Sequence, residues 1–417
     1  MPPATDKETV TYRYDCWRSV LYGICEAGWV TFGLLILIRN FCSAEDEWGS
    51  TLAKSLITSA GFLGLLLTTT TTYYFSRLHF RATSVVAVFL IASGFLLASS
   101  AFVSGLVGFT VLFAIANILS AQQSPFLTET YAVNYRAEDR GKRVSTVLVF
   151  VALSTASFSY LAGWLLDLHF AVYPLILLLM ALASWGSAFF AWKIPSRPIA
   201  EQRSSHPFGQ LAFVYKDKLF GWLLSAKMLM GFANLMTLPI RIEVLANPQF
   251  GINATNGQIV LASVIIPSVI RVLFGRTLGM LFDRWNYIAW RILVNGFFIV
   301  GILLYFTSDS LPWIYLGSVF VGLGMSGGSL SWNLWVTKIA PFDKVATYMS
   351  VHSTLTGVRG ILAPLIGYIL LWMVSPIGLA SVCVCMILVS TLMYSFLWNH
   401  PRFKKGINNE SEASPAH

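Results

Sequence analysis

An all-α membrane protein, with twelve spanning helices in two pseudo-symmetric six-helix bundles, is the fold class this sequence predicts. Three observations carry that prediction. Apolar residues make up 56% of the 417 and charged residues 11%, with a mean hydropathy of +0.67, far from the balance of a water-soluble domain. Runs of about 20 mostly apolar residues, the length needed to cross a bilayer, recur twelve times. Finally, the turn Phe282-Asp283-Arg284-Trp285-Asn286-Tyr287 repeats the order of Phe75-Ser76-Arg77-Leu78-His79-Phe80: Phe, polar, Arg, bulky, polar, aromatic. The chain therefore reads as two related halves.

In order, the runs lie near 17–39, 52–74, 83–103, 105–130, 144–166 and 172–194, then 218–240, 257–281, 288–307, 312–338, 346–374 and 377–398. Residues 1–16 read as a cytoplasmic polar arm, 17–194 as the N-terminal bundle, and 195–217 as a cytoplasmic surface linker rich in Pro and basic residues. Residues 218–398 form the C-terminal bundle and 399–417 a polar cytoplasmic tail. The first run follows Lys7, Arg13 and Arg18 and lacks a small-residue cleavage site, so it is expected to stay as helix 1. Most of the 28 Lys and Arg, Arg18 and Arg291 among them, fall at the termini and in the even-numbered turns, which predicts both termini in the cytoplasm, at the plasma or inner membrane. Only Arg39, Lys54 and Arg241 are assigned to the opposite loops. The net charge of +9 then reports topology and contact with lipid headgroups rather than nucleic acid. Cys16, Cys25, Cys42, Cys383 and Cys385 form no paired motif, so no disulfide, metal or cofactor is expected. Asn253-Ala254-Thr255 is a glycosylation triplet most simply read as a chance match.

Gly279, Asp283 and Arg284 match a Gly-x-x-x-Asp-Arg/Lys-x-Gly turn, with Asn286 where a second glycine is usual and Tyr287 where a base is usual. The first-half copy keeps Arg77 and Arg81 but has Thr72, Ser76 and His79 in place of Gly, Asp and Gly, and an Arg140-Gly141 step follows run 4. With six plus six runs and a basic central linker, the whole chain resembles the major facilitator superfamily. That resemblance implies a cavity surrounded by helices 1, 4, 7 and 10, with 2, 5, 8 and 11 completing its walls. An acid at a helix mouth that pairs with neighbouring bases in one of two rocked states suits gating, so Gly279, Asp283, Arg284, Arg77, Arg81 and Arg140 are the gating candidates. Ordinary positive-inside anchoring is the plainer reading of the same bases. Asn286 is expected to fill the glycine position by tolerating a left-handed backbone.

Ionisable residues within the runs are informative because a charge at the bilayer centre costs several kcal/mol. Glu26 in helix 1 and Lys227 in helix 7 lie at similar depths. Lys227, Gly231 and Asn234 share one helical stripe; His352, Thr356 and Arg359 share another; Ser268, Arg271 and Gly275 a third. Helix 4 offers Asn117, Ser120, Gln123 and Ser124, and helix 10 offers Ser326, Ser329, Trp332, Asn333 and Thr337. With Lys227, Arg271 and Arg359 read as buried bases against one deep acid, the cavity is cationic. The expected substrate contacts are Lys227, Arg359, Asn117, Gln123, Asn234, Asn333 and Trp332, with Arg271 either structural or a contact. Glu26 and His352 are candidates for proton coupling. A permanent Glu26–Lys227 ion pair is the structural alternative for Glu26. Thr68 to Thr72 are expected to bond back to their own helix and bend it.

No phosphate-cradling loop, metal cluster or nucleophile elbow supports an enzyme. The function expected is a monomeric secondary transporter that moves a small organic anion or zwitterion by alternating access, with protons as a coupling partner. An exporter of drugs or amphiphilic lipids is the alternative, although helix 5 (Ser154 to Gly163) lacks the Gly-Pro pair of proton-antiporting drug exporters. A nontransporting sensor or assembly factor on the same fold is the reading from another class.

Overall fold

The computed structural model describes residues 6–43, 45–199, 213–336 and 345–400. Twelve helices among them are long and apolar enough to cross a membrane. The first, α1, runs Asp6–Ala27 and continues through two wider π turns, Gly28–Phe32 and Leu37–Phe41. Then come α2 (Glu47–Arg77), α3 (Ala82–Ser100), α4 in two pieces (Leu106–Ala121 and Gln123–Asn134), α5 (Ala137–Leu168) and α6 (Tyr173–Lys193). In the second half α7 is Lys218–Ala246, and α8 joins Asn256–Val260 to Ile266–Arg284 through the π turn Leu261–Ile265. The series closes with α9 (Tyr287–Phe306), α10 (Leu311–Leu334), α11 (Val345–Met373) and α12 (Pro376–Ser395).

The polar start expected to be an arm is helical from Asp6 onward. Its side chains find partners: Glu8, 1% exposed, sits 3.1 Å from Arg143 and 3.7 Å from Arg136, and Asn134 donates to Thr11 Oγ1 at 2.9 Å. The linker also begins docked rather than free. Ile199 is buried and donates from its backbone to Phe80 O, Arg81 and Pro198 form a bridge, and Thr83 Oγ1 donates to Ile194 O at 3.0 Å. Residues 200–212 and 401–417, within the predicted linker and tail, lie outside the described residues.

The helices divide into two compact units. The first comprises Met1–Ser205, Pro239–Ile265 and Gly360–Ile369; the second comprises His206–Leu238, Ile266–Arg359 and Leu370–His417. Thus α7, α8 and α11 each contribute to both, and each changes unit at an interruption. In α7 it is Pro239, which cannot donate a helix hydrogen bond; in α8 it is the end of the π turn; in α11 it is Gly360, four residues before Pro364.

Within the first unit, helices meet through small hydroxyl side chains that donate to carbonyls of neighbouring helices. Ser184 reaches Leu90 O, Ser93 reaches Ala116 O, and Thr155 reaches Gly23 O, at 2.7, 2.8 and 2.9 Å. Such bonds contribute about 0.6 kcal/mol each in a bilayer. Thr68, Thr71 and Thr72 bond back along α2 as expected. Buried ion pairs matter more. Lys54 and Arg241, assigned by sequence to loops, are buried within α2 and α7, and Lys54 Nζ finds Glu243 Oε1 at 2.6 Å. Asn247 Nδ2 donates to the same oxygen at 2.9 Å, and the ring of Tyr368 lies 5.7 Å from the ammonium.

Removing one member of a buried pair strands the other, at a cost of about 3–5 kcal/mol. Lys54→Met is therefore expected to lower the thermal midpoint strongly, and Lys54→Met with Glu243→Leu to recover most of the loss. Cys42 reports the same region: burial pushes its thiol pKa up while Lys54 draws it down. Loss of the ammonium alone would slow maleimide labelling of Cys42, so faster labelling in Lys54→Met means that the region has opened. Equal stability of the single and double variants would remove the pair from its structural role.

Candidate functional site

The second unit brings three bases, Lys227, Arg359 and Arg291, near one another. Lys227 on α7 is 5% exposed, and its Nζ lies 5.2 Å from the centre of the Trp335 ring, where the ring's quadrupole attracts a cation. Trp335 is itself fully buried, stacked at 5.7 Å on Phe220 and meeting His352 edge-on at 5.4 Å. One turn along α7, Gly231 makes room for the guanidinium of Arg359 from α11. A Cβ at Gly231 would fall 2.0 Å from Nη1 and 2.4 Å from Cζ. Arg359 Nη1 donates to the Lys227 carbonyl at 3.2 Å and lies 3.8 Å from Met228 Sδ. The sequence stripe Lys227, Gly231 thus has a physical meaning: base, then a notch that seats a second base.

A third base, which the sequence places among the cytoplasmic anchors, belongs here too. Arg291 on α9 is 2% exposed; its Nη2 donates to Asn295 Oδ1 at 3.1 Å, and its guanidinium lies 5.3 Å from the Tyr394 ring. Asn295 in turn donates to Thr391 Oγ1 at 2.9 Å. The charges of Arg291 and Arg359 both bear on Lys227. Four ion pairs, Arg18–Asp15, Lys54–Glu243, Arg136–Glu8 and Arg143–Glu8, lie in the first unit. The contacts of Arg359 and Arg291 described here are with a carbonyl, a thioether, an amide and a phenol ring, none of them acidic.

Other expected contacts distribute differently. Arg271, expected to be buried, is exposed on α8, because that stretch of the helix presents Val272, Leu273 and Phe274 outward as well. Asn234 is half-buried on α7, and the side chains of Trp332 and Asn333 lie outside the described residues. In the first unit Asn117 is buried against Gly61. Gln123 is committed elsewhere: its Oε1 accepts from Arg18 Nη1 at 2.9 Å and its Nε2 donates to Ser120 O. Arg18, another expected cytoplasmic anchor, is buried at 4% and paired with Asp15 at 2.7 Å. The clue in the sequence is the i, i+3 spacing of Asp15 and Arg18. Glu26 is half-buried one residue before the end of α1's regular part, where its charge bears on Tyr22 and Cys25.

The gating candidates do not gather into one described cluster. Arg77 stacks on Tyr73 and bonds its hydroxyl, Arg81 reaches Ile194 O at 3.5 Å, and Arg140 donates to Ala132 O at 3.0 Å. Arg284 is exposed, Gly279 has open space where a Cβ would stand, and the Asp283 side chain lies outside the described residues. Asn286 is not left-handed: at φ −58° it caps α9 by accepting from Ile288 N. The left-handed residue is its first-half counterpart His79, at φ 54°.

Because the notch at Gly231 is filled by the guanidinium, Gly231→Ala is expected to displace Arg359. Binding of an anion by purified Gly231→Ala protein should then fall about as far as in Arg359→Gln. Wild-type affinity in Gly231→Ala would separate the notch from the site.

Comparison with known proteins bears on this arrangement. A profile of the Major Facilitator Superfamily matches residues 20–364. An MFS-type transporter, opaD, from Aspergillus ustus is 31% identical over 111 residues, which are 27% of this chain and 18% of that protein, so the chain matches under a fifth of that relative's length. Among solved structures, a variant of the nucleoside transporter NupG superposes with a TM-score of 0.73 at 15% identity, covering 94% of this chain and 100% of the other. The xylose transporter XylE from E. coli, partially occluded and inward open, gives 0.65 at 15% identity, covering 95% and 100%. A bacterial homologue of the human lysosomal transporter Spinster gives 0.66 at 11% identity, covering 99% and 100%. At these identities the solved structures speak for the fold, and the profile speaks for the family. With twelve membrane-length helices, this multi-pass integral membrane protein is a transporter by family and fold rather than an enzyme, and it belongs to the Major Facilitator Superfamily.

Proposed function

We propose that the protein is a secondary transporter of a small organic anion or zwitterion, working by alternating access with both termini in the cytoplasm. One observation carries the reading: in the second unit Arg291 is buried and Arg359 half-buried, and their described partners are neutral. Desolvating such charges costs several kcal/mol, and an anionic ligand that enters the site offsets that cost. Arg359 offers a paired-donor guanidinium, and Lys227 a compact ammonium nearby. A neutral cargo such as the xylose or nucleoside named for the similar solved transporters would leave the bases without that gain.

Glu26, half-buried in α1, is the coupling candidate. His352, set edge-on against the ring beneath Lys227, is the second. Motion is assigned to the interruptions of α7, α8 and α11, where a missing or widened helix bond lets one segment swing on the next. The gating roles of Asp283, Arg284, Arg77, Arg81 and Arg140 remain part of this proposal, as does the monomeric state.

Reconstitution into liposomes tests it with succinate, inorganic phosphate, xylose and a nucleoside. Saturable exchange of an anion is expected, reduced at least about tenfold by Arg359→Gln, the loss matching one charge-assisted hydrogen bond. Exchange of xylose or the nucleoside alone, indifferent to Arg359, would overturn the anion reading. Glu26→Gln is expected to abolish accumulation driven by a pH gradient while sparing exchange; unchanged accumulation removes Glu26 from coupling. Pro239→Ala should retain anion binding but slow exchange, and an unaltered rate would place the hinge elsewhere.

A further inference from the structure

A groove of about 450 Å³ runs between α7, α11 and α12, walled by Met228, Leu229 and Phe232 from α7, Leu355 from α11 and Met386 from α12. That volume is within the range of small-molecule sites. Ser225 brings the groove a hydroxyl, and that group already donates to Gly221 O at 2.8 Å within its own helix. A sugar or another neutral polar body would therefore find little to bond here. Methionine and leucine walls accept a flexible apolar chain instead.

The groove shares a wall with the cationic site. Met228, which lines it, lies 3.8 Å from Arg359 Nη1. Leu355, which also lines it, precedes Arg359 by four residues, so the two side chains stack on one face of α11. Arg359 Nε has no hydrogen-bond partner among the described residues. One ligand can thus place an acidic group on the guanidinium and an apolar chain along the groove. The groove also faces outward: Trp222, one turn from Ser225, is 43% exposed and Val389, one turn from Met386, is 49% exposed. An exposed apolar flank on membrane-length helices is the kind of surface that acyl chains cover, which gives a ligand a sideways path.

We infer that Arg359 and this groove form a single site for a single-chain anionic amphiphile, a carboxylate or phosphate borne on an apolar chain, that enters from the bilayer. The inference rests on the anion-binding role of Arg359 and adds the nature of the cargo's other half. It accounts for the coexistence of a charged notch and a chain-sized apolar trough on the same helices.

Photo-crosslinking tests it without confusion from bulk partition into lipid. A diazirine analogue of dodecanoate, with the diazirine near the chain end, is activated on the full-length protein in liposomes, and labelled peptides are mapped by mass spectrometry. Labelling is expected in the segments around Met228, Leu355 and Met386, reduced about tenfold by Arg359→Gln, partly restored by Arg359→Lys, and weak with the corresponding diazirine alcohol. Dodecyl phosphate should displace the label, and a two-chain phosphatidic acid should not. Equal labelling by the alcohol, or labelling indifferent to Arg359, would show an ordinary lipid-facing surface and overturn the inference. So would displacement by phosphatidic acid alone. A parallel thermal shift with inorganic phosphate separates the two claims. If phosphate still stabilises the wild type but not Arg359→Gln, the anion reading stands while the amphiphile falls; if neither ligand responds to Arg359, both fall.

Discussion

The cost of holding a charge where water is scarce organises this molecule. The first unit meets it by pairing: Lys54 with Glu243, Arg18 with Asp15, and Arg136 and Arg143 with Glu8. Lys54–Glu243 and the Glu8 pairs join different helices, and Arg18, paired within its own helix, reaches α4 through Gln123. In the second unit the described partners of Arg359 and Arg291 are dipoles and aromatic faces, which soften a positive charge without cancelling it.

Flexibility follows a similar logic. A membrane helix holds its backbone bonds internally, so it bends only where a bond is missing or the turn is widened. In α7, α8 and α11 those places coincide with the boundaries between units, at Pro239, after Ile265 and at Gly360. Arg359 stands at one of these points, being the residue before Gly360. A ligand that engages Arg359 therefore acts beside a point where α11 passes from one unit to the other.

Much of the fold is legible in the sequence because it depends on local composition. Twelve apolar runs correspond to twelve helices, since each run satisfies its backbone alone. Lys227, Arg359 and His352 are legible as stripes, because spacing of three and four puts residues on one face. What the sequence hides depends on distant partners. Arg18, Arg291 and Lys54 read as surface charges because the basic bias of turns does not distinguish a base at a helix end from one that folds inward toward Asp15, Asn295 or Glu243. Arg271 reads as buried only while membership of an apolar run stands for burial, and α8 turns that side chain outward. Gln123 has the look of a ligand contact, but Arg18 claims it. Asn286 does not need the left-handed backbone expected of it, because it caps a helix. The notch at Gly231 and the groove beside it have no sequence signature, since both are spaces formed by residues from different helices.

The central claim is that the half-buried guanidinium of Arg359 exists to hold an anion. Thermal unfolding of the purified protein against succinate, phosphate, sulfate and xylose tests it most directly, because a ligand that binds the folded state stabilises it by mass action, by about 2.7 kcal/mol at a hundred times its dissociation constant. The account predicts that at least one anion raises the midpoint of the wild type, that xylose does not, and that Arg359→Gln abolishes the response. A midpoint raised equally by the same anion in Arg359→Gln, or raised only by xylose, would contradict it.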